Sequence, residues 1–271
     1  MKQLILVIHL FVLTLLTVPK ALAHDFWLAP ETFTLASPGQ TKVKFLIGHH
    51  GHVEPWDLQQ TRVVTLEHHH SQGSVDMAAN VIPQTRFADG FATTSTLKEG
   101  TNVIGFVSAH STSTLAASKF NQYVEDAGLL LVAEHRIANG TEDSAGVEIY
   151  SRRAKAVVQV GNTLSDNVLA PLGHTLEILP LQHTGSLQAG EKLNIKVLFD
   201  GKPLSGAKVT LEVLNSQDKF DLAIVTNDRG QGSLNIPSTG EFKLNTIWGV
   251  PLESHPIAEF ETYFSSLTFS I

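Results

Sequence analysis

The chain of 271 residues contains no cysteine. That excludes a disulfide framework, thiolate metal sites and a cysteine nucleophile, since each needs a sulfur. Basic residues are in the minority, 19 against 26 acidic, for a formal charge of -7. A chain of this sign lacks the basic face that nucleic acid requires. Tryptophan and tyrosine number three each, too few to suggest a broad aromatic face for polysaccharide. No Gly-x-Ser-x-Gly elbow, phosphate-cradling glycine loop or His-x-x-x-His pair occurs. Beyond the first 23 residues no apolar run is long enough to span a bilayer. With 42% hydrophobic residues, the chain is nevertheless rich enough in apolar side chains to build a core.

What the sequence has in excess is histidine, 13 in all. Imidazole suits transition metals and proton transfer near neutral pH. The first 23 residues read as a secretory signal: Lys2, an apolar run from Leu4 to Val18, then Ala21-Leu22-Ala23. Cleavage after Ala23 is expected to release a periplasmic protein of 248 residues with 17 basic and 26 acidic side chains. Without cysteine in an oxidising compartment, its stability has to come from the core alone. Cleavage also makes His24 the first residue. Its α-amine and ring nitrogen can then close a chelate on one cation, and both release protons readily when metal binds. The third mature position is Phe26, so a copper motif with histidine at that place is excluded. A histidine brace, with further rings from elsewhere in the chain, remains.

Alternation and turn signals predict a mainly β protein: two β-sandwich-like domains, the C-terminal one immunoglobulin- or transthyretin-like, with a short helical insert between them. Expected divisions are 1–23 (signal), 24–165 (first domain, with an insert at about 115–155) and 166–271 (second domain). Strands are expected at Thr41–Ile47, Thr61–Leu66, Pro83–Phe91, Thr101–Val107, Ala156–Val160 and Pro171–Pro180. In the second domain they are expected at Leu193–Phe199, Ala207–Val213, Ala223–Thr226, Gly232–Ile236, Glu241–Trp248 and Leu267–Ile271, with a hairpin turn at Asp200-Gly201. The insert reads as helices over Ala116–Ala127 and Leu129–Ala138, followed by a third short helix at Glu148–Lys155. On that reading Arg152, Arg153 and Lys155 form a solvated or salt-bridged face.

The candidate ligands are His24, His49, His50, His52, His110 and His255. His49, His50 and His52 lie in Gly48-His49-His50-Gly51-His52, just past a strand end, where the glycines allow close approach of backbone to a cation. Strand alternation would put His50 and His52 on one face and His49 on the other. Glu54 and Asp57 are candidates to accept a ring N–H from behind. His110 and His255 are candidates to complete the set. His68-His69-His70 read as a solvated hairpin tip, and His135, His174 and His183 as structural.

Several segments in chain order resemble a bacterial periplasmic family of unknown function, DUF4198-type, associated with NikM-like nickel or cobalt uptake. They are His24-Asp25-Phe26-Trp27-Leu28-Ala29-Pro30, Ile47-Gly48-His49, Lys119-Phe120-Asn121-Gln122-Tyr123, Tyr150-Ser151-Arg152-Arg153-Ala154-Lys155, Pro171-Leu172-Gly173, Phe199-Asp200-Gly201-Lys202-Pro203-Leu204 and Ser266-Leu267-Thr268-Phe269. The resemblance implies periplasmic metal handling, with nickel or cobalt favoured. Such members often carry a His-Met pair on the late strand, where this chain reads Thr246-Ile247-Trp248-Gly249. The expectation is thus an exported, non-enzymatic protein binding a divalent transition metal. Nitrogen and oxygen donors also admit copper and zinc. Its expected partners are the metal ion and an inner- or outer-membrane metal transporter, with no nucleic acid. Two alternatives are a copper-dependent oxidative enzyme using a histidine brace and a structural β-sandwich interaction module. The second leaves the histidine surplus unexplained.

Overall fold

The computed structural model describes residues 25–49, 52–215 and 222–271, His49 by its backbone. The chain opens with β1 (Asp25–Pro30), the short β2 (Thr34–Leu35), β3 (Lys42–His49), β4 (His52–Pro55), β5 (Val63–His70) and β6 (Gly73–Asp76). Next come β7 (Val81–Ile82), β8 (Phe91–Thr93), β9 (Gly100–Ser108) and β10 (Ser111–Leu115), then α1 (Ala117–Ala127) and α2 (Leu130–Asn139). β11 (Gly146–Val160) is the longest strand described. It is followed by β12 (Leu176–Pro180), β13 (Lys192–Phe199), β14 (Lys202–Pro203), β15 (Lys208–Val213) and β16 (Leu222–Val225). The last three strands are β17 (Gln231–Asn235), β18 (Glu241–Pro251) and β19 (Phe260–Ser270).

The protein is mainly β, built from two sandwich-like cores that share one sheet. The shared sheet has ten strands in the order β16-β15-β18-β19-β11-β9-β5-β6, with β10 and β2 also on β11. One smaller sheet, β1-β3-β8-β7 with β4 on β3, covers part of one face. Another, β12-β13-β14 with β17 on β13, covers the opposite face. Strand alternation divides the central strands between the two cores. Ile104, Phe106, Ala154, Ala156 and Val158 pack with Phe26, Leu28 and Phe45. Val103 and Val157 pack with Ile178, Ile195 and Val197. The expected division at residue 165 falls between β11 and β12, while β19 beyond it returns to pair with β11 in parallel.

The two expected helices form the insert. Each ends on a glycine in the left-handed region, Gly128 (φ 70°) and Gly140 (φ 60°), as helix C-termini favour. Their apolar side, Phe120, Tyr123, Val124 and Val132, packs on Ile247, Phe260 and Phe264. A β-carbon at Gly249 would lie 2.8 Å from Val132 Cγ2, so glycine on β18 lets α2 approach. The Asp200-Gly201 turn forms as expected, with φ of 48° and 73°.

The third helix does not form. Residues 148–155 lie inside β11, and Arg153 and Lys155 are buried rather than on a solvated face. Charges at both parities imitate a helix with i,i+4 pairs. In the fold the buried ones meet partners across the sheets: Glu148 meets Thr262, and Lys155 meets Glu177. Residues 83–90 likewise form no strand: Val81–Ile82 pairs with Phe91–Thr93, and between them lies a turn closed by a single bridge, Thr85 to Ala88. Of 171–180 only Leu176–Pro180 is strand, because the preceding loop turns back onto Glu177.

Candidate functional site

The first sheet collects the histidine-rich segment and the start of β1 at one end. The antiparallel register sets Asp25 opposite Gly48. On its other side Gly48 faces Val53, and His49 faces His52. Gly48 has φ of 138°, and a β-carbon there would stand 1.9 Å from the His52 carbonyl oxygen. Only glycine permits this tight β3–β4 return.

The beginning of β1 is anchored on both sides. Phe26 packs edge-on to Trp56, with ring centroids 5.1 Å apart, and lies 5.3 Å from Phe106. Asp25 Oδ2 lies 2.8 Å from Lys243 Nζ, and Asn245 Nδ2 donates to Asp25 Oδ1 at 2.7 Å. Lys243 Nζ also lies 2.7 Å from Glu212 and 4.2 Å from the Trp27 ring centroid. Burial alone would lower the Lys243 pKa, but Asp25 and Glu212 outweigh it and hold the ammonium above its ordinary value.

The expected ligands fall into three groups. His24 and His50 lie outside the described residues, as does the His49 side chain. His52 is exposed on β4, beside Val53 and Glu54. His110 and His255 have local partners. His110 Nε2 lies 2.8 Å from Glu261 and 3.4 Å from Ser151 Oγ. One nitrogen serves both contacts, so these three residues do not form a nucleophile relay, which needs the two ring nitrogens in separate roles. His255 Nδ1 accepts the Ala258 N–H at 3.1 Å and closes a turn. Asp57 is paired with Arg62 at 3.2 Å. Among the described residues no group of three or more His, Asp or Glu could hold a metal ion.

His68, expected at a solvated tip, is fully buried inside β5. Its Nδ1 meets Ser95 Oγ and its Nε2 meets Asn102 Oδ1, both at 2.7 Å. Burial lowers its pKa, as it does that of His183, whose Nε2 lies 2.7 Å from Thr101 Oγ1. Burial holds His174 down to about 4. Its ring lies beside the position a Gly105 β-carbon would occupy. These histidines are structural.

The charge buried on β11 has no local signature in the sequence. Glu148 Oε2 accepts Thr262 Oγ1 at 2.6 Å and Tyr123 OH at 3.4 Å, under α1. Burial raises its carboxyl to about 7. The folded chain therefore keeps a proton that the unfolded chain releases above about 4.5. From this group stability falls as pH rises from 4.5 towards 7. The lowered histidines act oppositely below about 6.5, where the unfolded state binds their protons first. Glu148→Gln should thus raise stability at pH 8 by up to about 3 kcal/mol. At pH 4 it should change little. Urea unfolding of both proteins across this range checks it, and a pH-independent difference would contradict the burial argument.

A family model described as a domain of unknown function (DUF4198) matches residues 21–249. No curated protein matches the chain. Among solved structures it is similar to the D0-D1 domain of intimin, at 12% identity and a TM-score of 0.22, covering 91% of this chain and 98% of that one. It is also similar to a tetra-tandem repeat in the extending region of a large adhesion protein, at 10% identity and a TM-score of 0.21, covering 92% and 50%. Dimeric latent PorU from Porphyromonas gingivalis matches at 10% identity and a TM-score of 0.20, covering 94% and 21%.

Proposed function

The chain belongs to the DUF4198 family, and we propose that it is an exported protein that captures a divalent transition metal where β1 begins. In this reading, cleavage after Ala23 frees His24, whose amine and ring grip the cation. Rings from the Gly48–His52 segment complete the set. The cation is cargo, and the protein serves metal uptake or homeostasis beside a membrane transporter. The NikM-like association favours nickel or cobalt; the donor set also suits copper and zinc.

One observation carries the reading: His24 immediately precedes Asp25, whose register partner Gly48 immediately precedes His49, itself opposite His52. The Lys243–Asp25–Asn245 contacts favour it further, because a chelating first residue needs a fixed neighbour.

The test uses untagged secreted protein whose first residue is verified by mass. Calorimetry with nickel, cobalt, copper(II) and zinc salts should give one tight site per chain. Extending the terminus by one alanine should weaken it by about 10–100-fold. A first residue other than His24, no heat with any of the four salts, or an unchanged affinity after extension would each overturn the brace.

A further inference from the structure

Arg152 stands on the face of β11 turned towards β1 and the loop after β4. Its guanidinium carbon lies 4.7 Å from the Tyr150 ring centroid, 5.6 Å from Phe264, 5.7 Å from Trp56 and 5.8 Å from Phe26. Four rings thus surround one cation. They offset its charge but take none of its N–H bonds in the way an oxygen would. Among the described residues its side chain makes no ion pair or hydrogen bond, and its Nε is buried without a partner.

The other arginines in comparable positions have oxygen partners, although Arg153 Nε and Arg136 Nη1 are likewise buried without a hydrogen bond. Arg153 donates to Ser151 and Thr175. Arg136 donates to Asn121 and to the carbonyls of Glu142 and Ser144. Arg62, on the same Trp56 ring at 5.7 Å, is paired with Asp57. Glu148 shares the Arg152 face; burial raises its carboxyl and the Arg152 charge lowers it slightly, but its hydrogen bonds come from Thr262 and Tyr123. Arg152 is also partly exposed. A planar guanidinium with unspent donors matches a carboxylate in two parallel bonds. The partly exposed Tyr150 ring beside it favours a carboxylate carried on a compact apolar body.

We propose that Arg152 anchors a surface site for a small organic carboxylate, gripped through the guanidinium fork beside Tyr150, the partly exposed ring of the four, with Phe26, Trp56 and Phe264 buried behind it. The site does not depend on a bound metal. Its test is titration of the metal-free protein, stripped on a chelating resin, with benzoate, acetate and inorganic phosphate, followed by tryptophan fluorescence and calorimetry. Benzoate should bind at millimolar concentration or tighter. Arg152→Lys, which keeps the charge and loses the fork, should weaken it by about tenfold or more. Arg152→Met should abolish it. If the methionine variant does not fold, the lysine variant decides. Equal benzoate affinity in Arg152→Lys, binding retained in Arg152→Met, or no benzoate uptake by the wild type would overturn the proposal. Phosphate binding as tightly as benzoate would overturn its organic part.

Discussion

Replacing Lys155 with methionine is expected to cost the fold about 3–5 kcal/mol, because it strands a carboxylate in the interior. Lys155 Nζ lies 2.8 Å from Glu177 Oε1, and the two side chains are 3% and 1% exposed. Glu177 also accepts the N–H groups of Leu172 (2.8 Å), Gly173 (3.1 Å) and His174 (3.2 Å). Burial pushes its pKa up, but Lys155 and these donors prevail and hold it below the ordinary carboxylate value. The ionised group therefore organises the 171–174 loop over β9, where a β-carbon at Gly105 would meet Leu172 at 2.7 Å. Methionine fills similar volume but removes the countercharge. Glu177 should then titrate upward, so the penalty is largest at neutral pH and shrinks as acid protonates the carboxyl. Pairing Lys155→Met with Glu177→Gln should cost less than the sum of the two single changes. Denaturant unfolding at pH 7 and pH 5 measures this; a cost under about 1 kcal/mol at pH 7 would contradict the stranded-charge argument.

The same pair shows where sequence reading stops. Alternation in Leu193–Phe199 and Ala207–Val213, and the Asp200-Gly201 turn, were legible because polar residues there face solvent and apolar ones face a core. β11 is covered on both faces, so alternation no longer separates inside from outside. Its Glu148, Arg153 and Lys155 are satisfied by Thr262, Thr175 and Glu177, residues 22 to 114 positions away. No local window contains those partners, and the charges therefore read as a helix face. His68 misled for the same reason: Ser95 and Asn102, which make it a core residue, lie 27 and 34 positions on. For the proposed site, composition and the Gly48–His52 spacing singled out a segment that the fold sets beside the start of β1. The Lys243 anchor was invisible, since it joins positions 25 and 243 only through the return of β18 beside β19.

That anchor supplies the second large effect. Lys243 is 1% exposed between Asp25 and Glu212, with the Trp27 ring against it. Its raised pKa means that its stabilising charge is present throughout the neutral range and is lost only in strong alkali. Lys243→Met leaves two largely buried carboxylates facing each other, and a loss of about 3–5 kcal/mol is expected at pH 7. Unlike Lys155, Lys243 fixes the residue that follows His24. If the proposed brace is correct, Lys243→Met should also weaken metal binding by about 10–100-fold at a temperature where the variant remains folded. Asn245→Ala, which removes only the 2.7 Å bond to Asp25, should act in the same direction with less effect on stability. Lys155→Met, on the opposite face of the shared sheet, should leave metal affinity unchanged. Calorimetric metal titration of the three variants beside the wild type separates these roles. An equal loss of affinity in Lys155→Met and Lys243→Met would reduce the anchor to a general contribution to folding. An unchanged affinity in Lys243→Met would detach Asp25 from the metal site altogether.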